Sequence, residues 1–271
     1  MREWRLLRTG LGGPAWNMAL DEALWRLSPR PVLRLYRWAL PTLSLGRHQR
    51  LSAPILEALE REREEEEIAL VRRPTGGRAV LHDPIHELTY SVVHPSAGMG
   101  TVLESHKKIH EALALGLRRL GLEAELAPGR RDRTGVACFA APSRTELMVK
   151  DRKVAGSAQV RDGHALLEHG SLPLRLDPAR LARLLGDEGL QTMLAREAAG
   201  LWEFLPGLKL MELEAAVIAG FAERFKVAFL EDRPTPEELA LAEELTEKYE
   251  SPKWTLHGRW SMKAAAAGAE R

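Results

Sequence analysis

One cysteine, Cys138, is all the thiol this 271-residue chain has. No intramolecular disulfide can form, and a reducing compartment fits best. Long apolar runs are missing too: nothing approaches the ~20 residues of a bilayer-spanning helix. The opening MREWRLLRTG carries charges where a secretory signal has its apolar run. These absences lead us to expect a cytoplasmic protein. An excess of one charge sign is also lacking, since 39 Lys+Arg face 38 Asp+Glu. That balance argues against a general nucleic-acid or membrane binder. Neither GxxxxGK[ST] nor GxGxxG occurs, which removes the P-loop and dinucleotide fingerprints. No internal repeat and no low-complexity linker divides the chain.

What is present reads as strands first and helices later. PAWNMALDEALWRL predicts a helix with Asn17 as its N-cap. VLRLYRW, TLSLG and IALVRR predict strands, and APILEALEREREEEE a helix with a solvated charged half. In HELTYSVV, Leu88, Tyr90 and Val92 face one way and Glu87, Thr89 and Ser91 the other. ESHKKIHEALALGLRRLG predicts an amphipathic helix ended by Gly121. Short strands are expected at 122–127, 146–149, 152–155 and 165–169. Helices are expected at 178–186, 211–225 and 236–249, and SPKWTLHGRW as a terminal strand. This order indicates an α+β fold. One catalytic domain is expected over 1–250, helical from about 177, with 251–271 as a terminal segment and frayed tail.

Two stretches carry candidate chemistry. RRPTGGRAVLHD (Arg72 to Asp83) sets Arg72 and Arg73 before a Gly76-Gly77 turn. Arginines and exposed backbone N–H groups suit a phosphate, carboxylate or pantetheine-type ligand, though Gly-Gly is also a common hairpin turn. GVACFAAPSRTELMVKDRKVAGSAQ places Lys153 fifteen residues after Cys138. A lone cysteine is by default a small buried hydrophobe, so context must decide. His106 and His110 have HxxxH spacing. They read as the polar side of a helix with no adjacent third ligand, so no metal is expected.

Taken together, RRPTGGRAVLHDPIHELTYSVV, RKVAGSAQ, NMALDEAL and LSLGRHQ resemble the biotin/lipoate protein ligase superfamily, in family order, from about Trp16 to about Leu174. The resemblance implies a class II synthetase-like α+β catalytic domain with mixed β-sheets flanked by helices. CFAAPSRTELMVKDRKVAGSAQ followed by LLEHGSLPL is similar to the cysteine-dependent octanoyltransferase branch. In that branch Cys138 and Lys153 would be the catalytic pair. The implied substrate-binding residues are Arg72, Arg73, Thr75, Gly76, Gly77, His82, Gly156, Ser157, Ala158, His169 and Gly170. Gly76-Gly77-Arg78 departs from the triple glycine of many ligases and agrees with the transferase branch. The implied reaction moves octanoyl from acyl carrier protein to the lysine of a lipoyl domain, in glycine-cleavage H protein or a dehydrogenase E2, with no cofactor. An ATP-dependent lipoate–protein ligase, an amidotransferase between lipoyl domains and a silent acyl-binding module are the alternatives.

Overall fold

The computed structural model describes residues 2–51, 53–65, 68–127 and 145–260. Six strands form a central sheet in the order β10 (Gly156–Arg161), β11 (Ala165–Pro173), β6 (Glu87–Pro95), β2 (Val32–Trp38), β1 (Arg2–Gly12) and β12 (Val227–Asp232). β1 runs parallel to both its neighbours, and the other pairings are antiparallel. The sheet is therefore mixed, as expected of the fold class.

Helices cover both of its faces. α3 (Val102–Arg119) and α6 (Leu210–Phe225) pack on one side, α1 (Pro14–Leu27) and α7 (Pro236–Glu250) on the other. The period-two alternation of the strands decides which side chain meets which pair. Leu33, Leu35, Leu88, Tyr90 and Val92 enter the α3/α6 core. Arg34, Tyr36, Thr89 and Ser91 turn toward α1, where they too are buried. A polar stripe that would face water in a one-sided sheet is thus enclosed. Buried polar groups need partners, and that need organises the site below.

Two small sheets complete the strands. β3 (Thr42–Leu45) lies between β4 (Ala69–Arg72) and β5 (Val80–His82). Its core is shared with α2 (Ala53–Glu65), α4 (Pro178–Leu185) and α5 (Glu188–Glu197). β7 (Ala124–Leu126), β8 (Leu147–Val149) and β9 (Arg152–Lys153) form the third sheet, against α3. α8 (Pro252–His257) packs on α7 and β4.

Several elements differ from the sequence expectation. Gly13, not Asn17, caps α1, and Pro14 takes its first turn. Asn17 is buried inside the helix: its amide donates to the carbonyls of Gly12 and Arg37 and its oxygen accepts from Arg34. SPKWTLHGRW contains a short helix, not a strand. Pro252 starts it, Gly258 closes it in the left-handed region, and Trp254 is buried with its indole N–H donating to the Arg72 carbonyl. β1, β10, β12 and α5 had no counterpart in the sequence reading. β12 extends the central sheet from within the stretch read as helical. Among the described residues, no helix is long and apolar enough to cross a membrane.

Candidate active site

A pocket opens between the two ends of the glycine loop, Arg73 and Val80, and the strand that follows Lys153. Met18, Trp38 and Val80 supply apolar wall. Seven of the expected substrate residues line it as well: Arg73, His82, Gly156, Ser157, Ala158, His169 and Gly170. Two motifs about 80 positions apart in the chain therefore share one space.

The loop is held from below. Arg73 donates to the Ser44 carbonyl and hydroxyl at 2.8 and 2.9 Å, and to the carbonyls of Gly76 and Arg78 at 2.9 Å each. Gly77 has φ +88, a conformation that side-chain-bearing residues rarely adopt. A Cβ added there would sit 3.6 Å from the Ala158 methyl, so the loop lies against β10. Thr75 is fully buried, with its hydroxyl 2.7 Å from His169 Nε2.

His169 connects that threonine to a hub on α1. Its Nδ1–H donates to Asp21 at 3.0 Å, which leaves Nε2 to accept from Thr75. Asp21 also accepts from Arg34 at 2.7 Å, the Ser91 hydroxyl at 2.7 Å and the Tyr36 hydroxyl at 3.0 Å. Burial alone would raise the Asp21 carboxyl. The Arg34 charge and the His169 and Ser91 hydrogen bonds outweigh it and hold the group below its ordinary range. Burial lowers His169 despite its carboxylate partner, which keeps the imidazole neutral. Asp21, Arg34 and Tyr36 were not singled out from sequence. The available signal was an acid within the buried run Met18–Leu24 of NMALDEAL.

His82 forms another wall. It stacks on Trp38 with centroids 4.1 Å apart, and its Nδ1 and Nε2 are each 2.7 Å from Glu87 and the Ser44 hydroxyl. Thr89 joins the group, donating to Glu87 and accepting from the Trp38 indole. The polar atoms here face one another and leave the cavity a largely apolar lining. Gly170 is needed for close approach: a Cβ there would stand 2.6 Å from the Ser157 hydroxyl and 2.7 Å from the Tyr90 ring.

Of the expected substrate residues, Arg72, Thr75, Gly76 and Gly77 do not line the cavity, and the Arg72 side chain is engaged elsewhere. Its guanidinium donates to the backbone carbonyls of Gly46, Arg47, Gln49, Trp254, Thr255 and Leu256 at 2.7–3.2 Å. Burial without a counter-charge lowers its pKa. All three nitrogens serve the fold, and the side chain does not line the cavity. Adjacent arginines in a strand point to opposite faces, so Arg73 alone reaches the loop.

Lys153 is 1% exposed on β9, with Nζ 3.0 Å from Glu146. It does not line the cavity, but Gly156, three residues on, does. Among the described residues, β10 is the edge strand of the central sheet beside the cavity. Cys138 lies outside the described residues.

Behind β10 is a second polar cluster. The Ser157 hydroxyl points away from the cavity, 2.7 Å from the Tyr90 hydroxyl and 2.9 Å from His110 Nε2. Burial pushes His110 down to about 3. His110 is therefore not on a polar helix face. The sequence reading found no third ligand near the His106–His110 pair, yet Glu168 stands beside both. Strand pairing brings it there from 58 residues beyond His110, a distance no spacing rule covers.

Residues 13–222 match the lipoyl protein ligase A/B catalytic domain. The octanoyltransferase LipM of Carboxydothermus hydrogenoformans is 41% identical, with 94% of this chain and 98% of that protein covered. The octanoyltransferase LipM of Geobacillus kaustophilus is 40% identical, covering 93% and 98%. Among solved structures, lipoate-protein ligase A bound with ATP superposes with a TM-score of 0.80 at 29% identity, covering 94% and 98%. A bi-partite lipoate protein ligase from Thermoplasma acidophilum, described with its E2 lipoyl domain, gives 0.79 at 28% identity, covering 96% and 99%.

Proposed function

We propose, because this chain belongs to the lipoyl protein ligase A/B catalytic domain family and is an octanoyltransferase, that it moves octanoyl from acyl carrier protein to a lipoyl-domain lysine through a thioester on Cys138. The observation that carries this reading is the largely apolar pocket that Arg73 and Val80, the two ends of the glycine loop, share with the strand after Lys153. Its wall is mainly apolar and most of its side-chain polar atoms are hydrogen-bonded within the protein, the Ser171 hydroxyl excepted, so it suits an aliphatic chain better than a charged ligand. β10, the edge strand of the central sheet among the described residues, can offer backbone N–H donors to the acyl oxygen.

In this reading the Cys138 thiolate attacks the donor thioester. A carbon–sulfur bond forms to Cys138, and the carrier's thiol leaves with a proton. The acceptor lysine amine then attacks the enzyme thioester, an amide forms, and the Cys138 sulfur departs. Two near-isoenergetic thioesters precede a stable amide, so no ATP is needed. A free thiol titrates near ~8.5, and an adjacent ammonium favours its thiolate. Lys153 supplies that charge and relays the proton between thiol and leaving group. Acceptor candidates are glycine-cleavage H protein and dehydrogenase E2 domains.

The test is intact-mass analysis after mixing with octanoyl-acyl carrier protein, without ATP or magnesium. A hydroxylamine-labile octanoyl adduct on wild type, absent from Cys138→Ala, is expected, followed by transfer to a lipoyl domain. ATP-dependent modification by free lipoate that survives Cys138→Ala would replace this reading with the ligase.

A further inference from the structure

On the face of β11 turned away from the Asp21 hub, three metal-type donors converge. His106 and His110 sit one turn apart on α3, and Glu168 reaches them from β11. One donor atom from each of His106, His110 and Glu168 lies within 4.8 Å of the other two. Glu168 Oε1 is 3.0 Å from His106 Nδ1 and 3.8 Å from His110 Nε2. Donors on a tetrahedral zinc ion, at bonds of ~2.0–2.1 Å, stand roughly 3.4 Å apart. The two measured edges bracket that value. The imidazole rings, with centroids 4.0 Å apart, need only tilt to turn both nitrogens onto one point.

The neighbours prepare each donor atom. His110 Nδ1–H donates to the Thr145 carbonyl at 2.7 Å, which fixes the tautomer and leaves the Nε2 lone pair toward the cluster. Gln159 donates to Glu168 Oε2 at 2.6 Å and is itself held by the Ser105 hydroxyl at 3.1 Å. Oε1 is thereby left facing the imidazoles. The Ser157 hydroxyl, 2.9 Å from His110 Nε2, is within reach as a fourth ligand. His110 and Glu168 are fully buried, while His106 is 15% exposed and gives the cluster an opening to solvent. Two imidazoles and one carboxylate suit zinc or cobalt, whereas calcium and magnesium require more oxygens.

We propose that His106, His110 and Glu168 form a binding site for a zinc-class divalent ion that ties α3 to β11 behind the lysine segment. The site stands apart from the acyl-transfer reading, since nothing in it requires an acyl chain in the cavity.

The test uses the full chain carrying Cys138→Ser, so that the thiol cannot act as a ligand. After treatment with a chelator, Co²⁺ is titrated and the visible d–d absorption followed. One Co²⁺ per chain with tetrahedral-type bands, displaced by Zn²⁺, is expected. Glu168→Gln and His110→Ala should each weaken Co²⁺ binding at least about tenfold. His94→Ala, a histidine against Trp4 at the far end of β6, should leave it unchanged. His106→Asn, at the exposed corner, gives the same readout if the buried variants fail to fold by circular dichroism. Co²⁺ binding equally to His106→Asn and its parent, or no tetrahedral spectrum at all, would overturn the proposal.

Discussion

At the scale of single residues, Asp21 is the hub of the polar network on the α1 side of the site. It takes four donors, from Arg34, Tyr36, Ser91 and His169, and none is replaceable by water at full burial. Through His169 it holds Thr75, and Thr75 belongs to the glycine loop. Asp21→Asn leaves Arg34 buried without its counter-charge, a loss on the order of 3 kcal/mol. The expected outcome is a lower urea midpoint at neutral pH with an unchanged slope. The pH dependence should change as well. The folded carboxyl is held below its ordinary value, so its contribution is full above about pH 4 and fades as pH falls through the folded pKa. Urea midpoints at neutral and acid pH should therefore converge between wild type and Asp21→Asn. A constant gap at all pH values would show that Asp21 is not the titrating group.

At the scale of elements, the contact between α3 and α6 depends on having no side chain at two crossing positions. A Cβ at Gly220 would stand 2.2 Å from the Ala112 carbonyl oxygen, and one at Gly116 would stand 2.5 Å from that of Ala216. Helix propensity favours alanine at both places, so the sequence accepts a local cost to let two backbones meet. Gly220→Ala must separate the helices or bend one, an overpacking cost of ~1–3 kcal/mol. Its melting temperature should fall, whereas Gly163→Ala, with nothing within 4 Å of an added Cβ, should melt like wild type. Equal melting of the two variants would contradict the close crossing. The same crossing helps fix α3 on the sheet face where His106 and His110 meet Glu168 of β11.

For the molecule as a whole, the C-terminal helices are tied into the site. Lys248 and Tyr249 of α7 reach Glu22 of α1. α8 receives the Arg72 guanidinium on its carbonyls and returns the Trp254 indole N–H to the Arg72 carbonyl. Arg72 ends β4 and leads directly into the glycine loop. Trp254→Ala removes a buried indole and this bond, at about 3–5 kcal/mol. It should also slow acylation of Cys138 by octanoyl-acyl carrier protein, although Trp254 does not line the cavity. Loss of stability with an unchanged acylation rate per folded molecule would show that the loop is held without α8.

The sequence alone determined the chemistry on offer and most element types. Strand alternation in HELTYSVV, the amphipathic run 104–121 and the two motifs are local patterns, readable over a few residues because backbone periodicity is local. Lys153 and the glycine loop were found as the same kind of signal. Tertiary structure decided which of those residues share a space. Arg72 and Arg73 look alike in sequence, but the pleat sends one to α8 and the other under the loop. Asp21 acquired its role from β2, β6 and β11, and Glu168 became the third partner of His106 and His110 through strand order. Apart from the bonds of Arg73 to its own loop, these contacts join positions 13 to 184 residues apart, and only sheet register and helix packing, set by burial across the whole chain, bring such positions within hydrogen-bond reach.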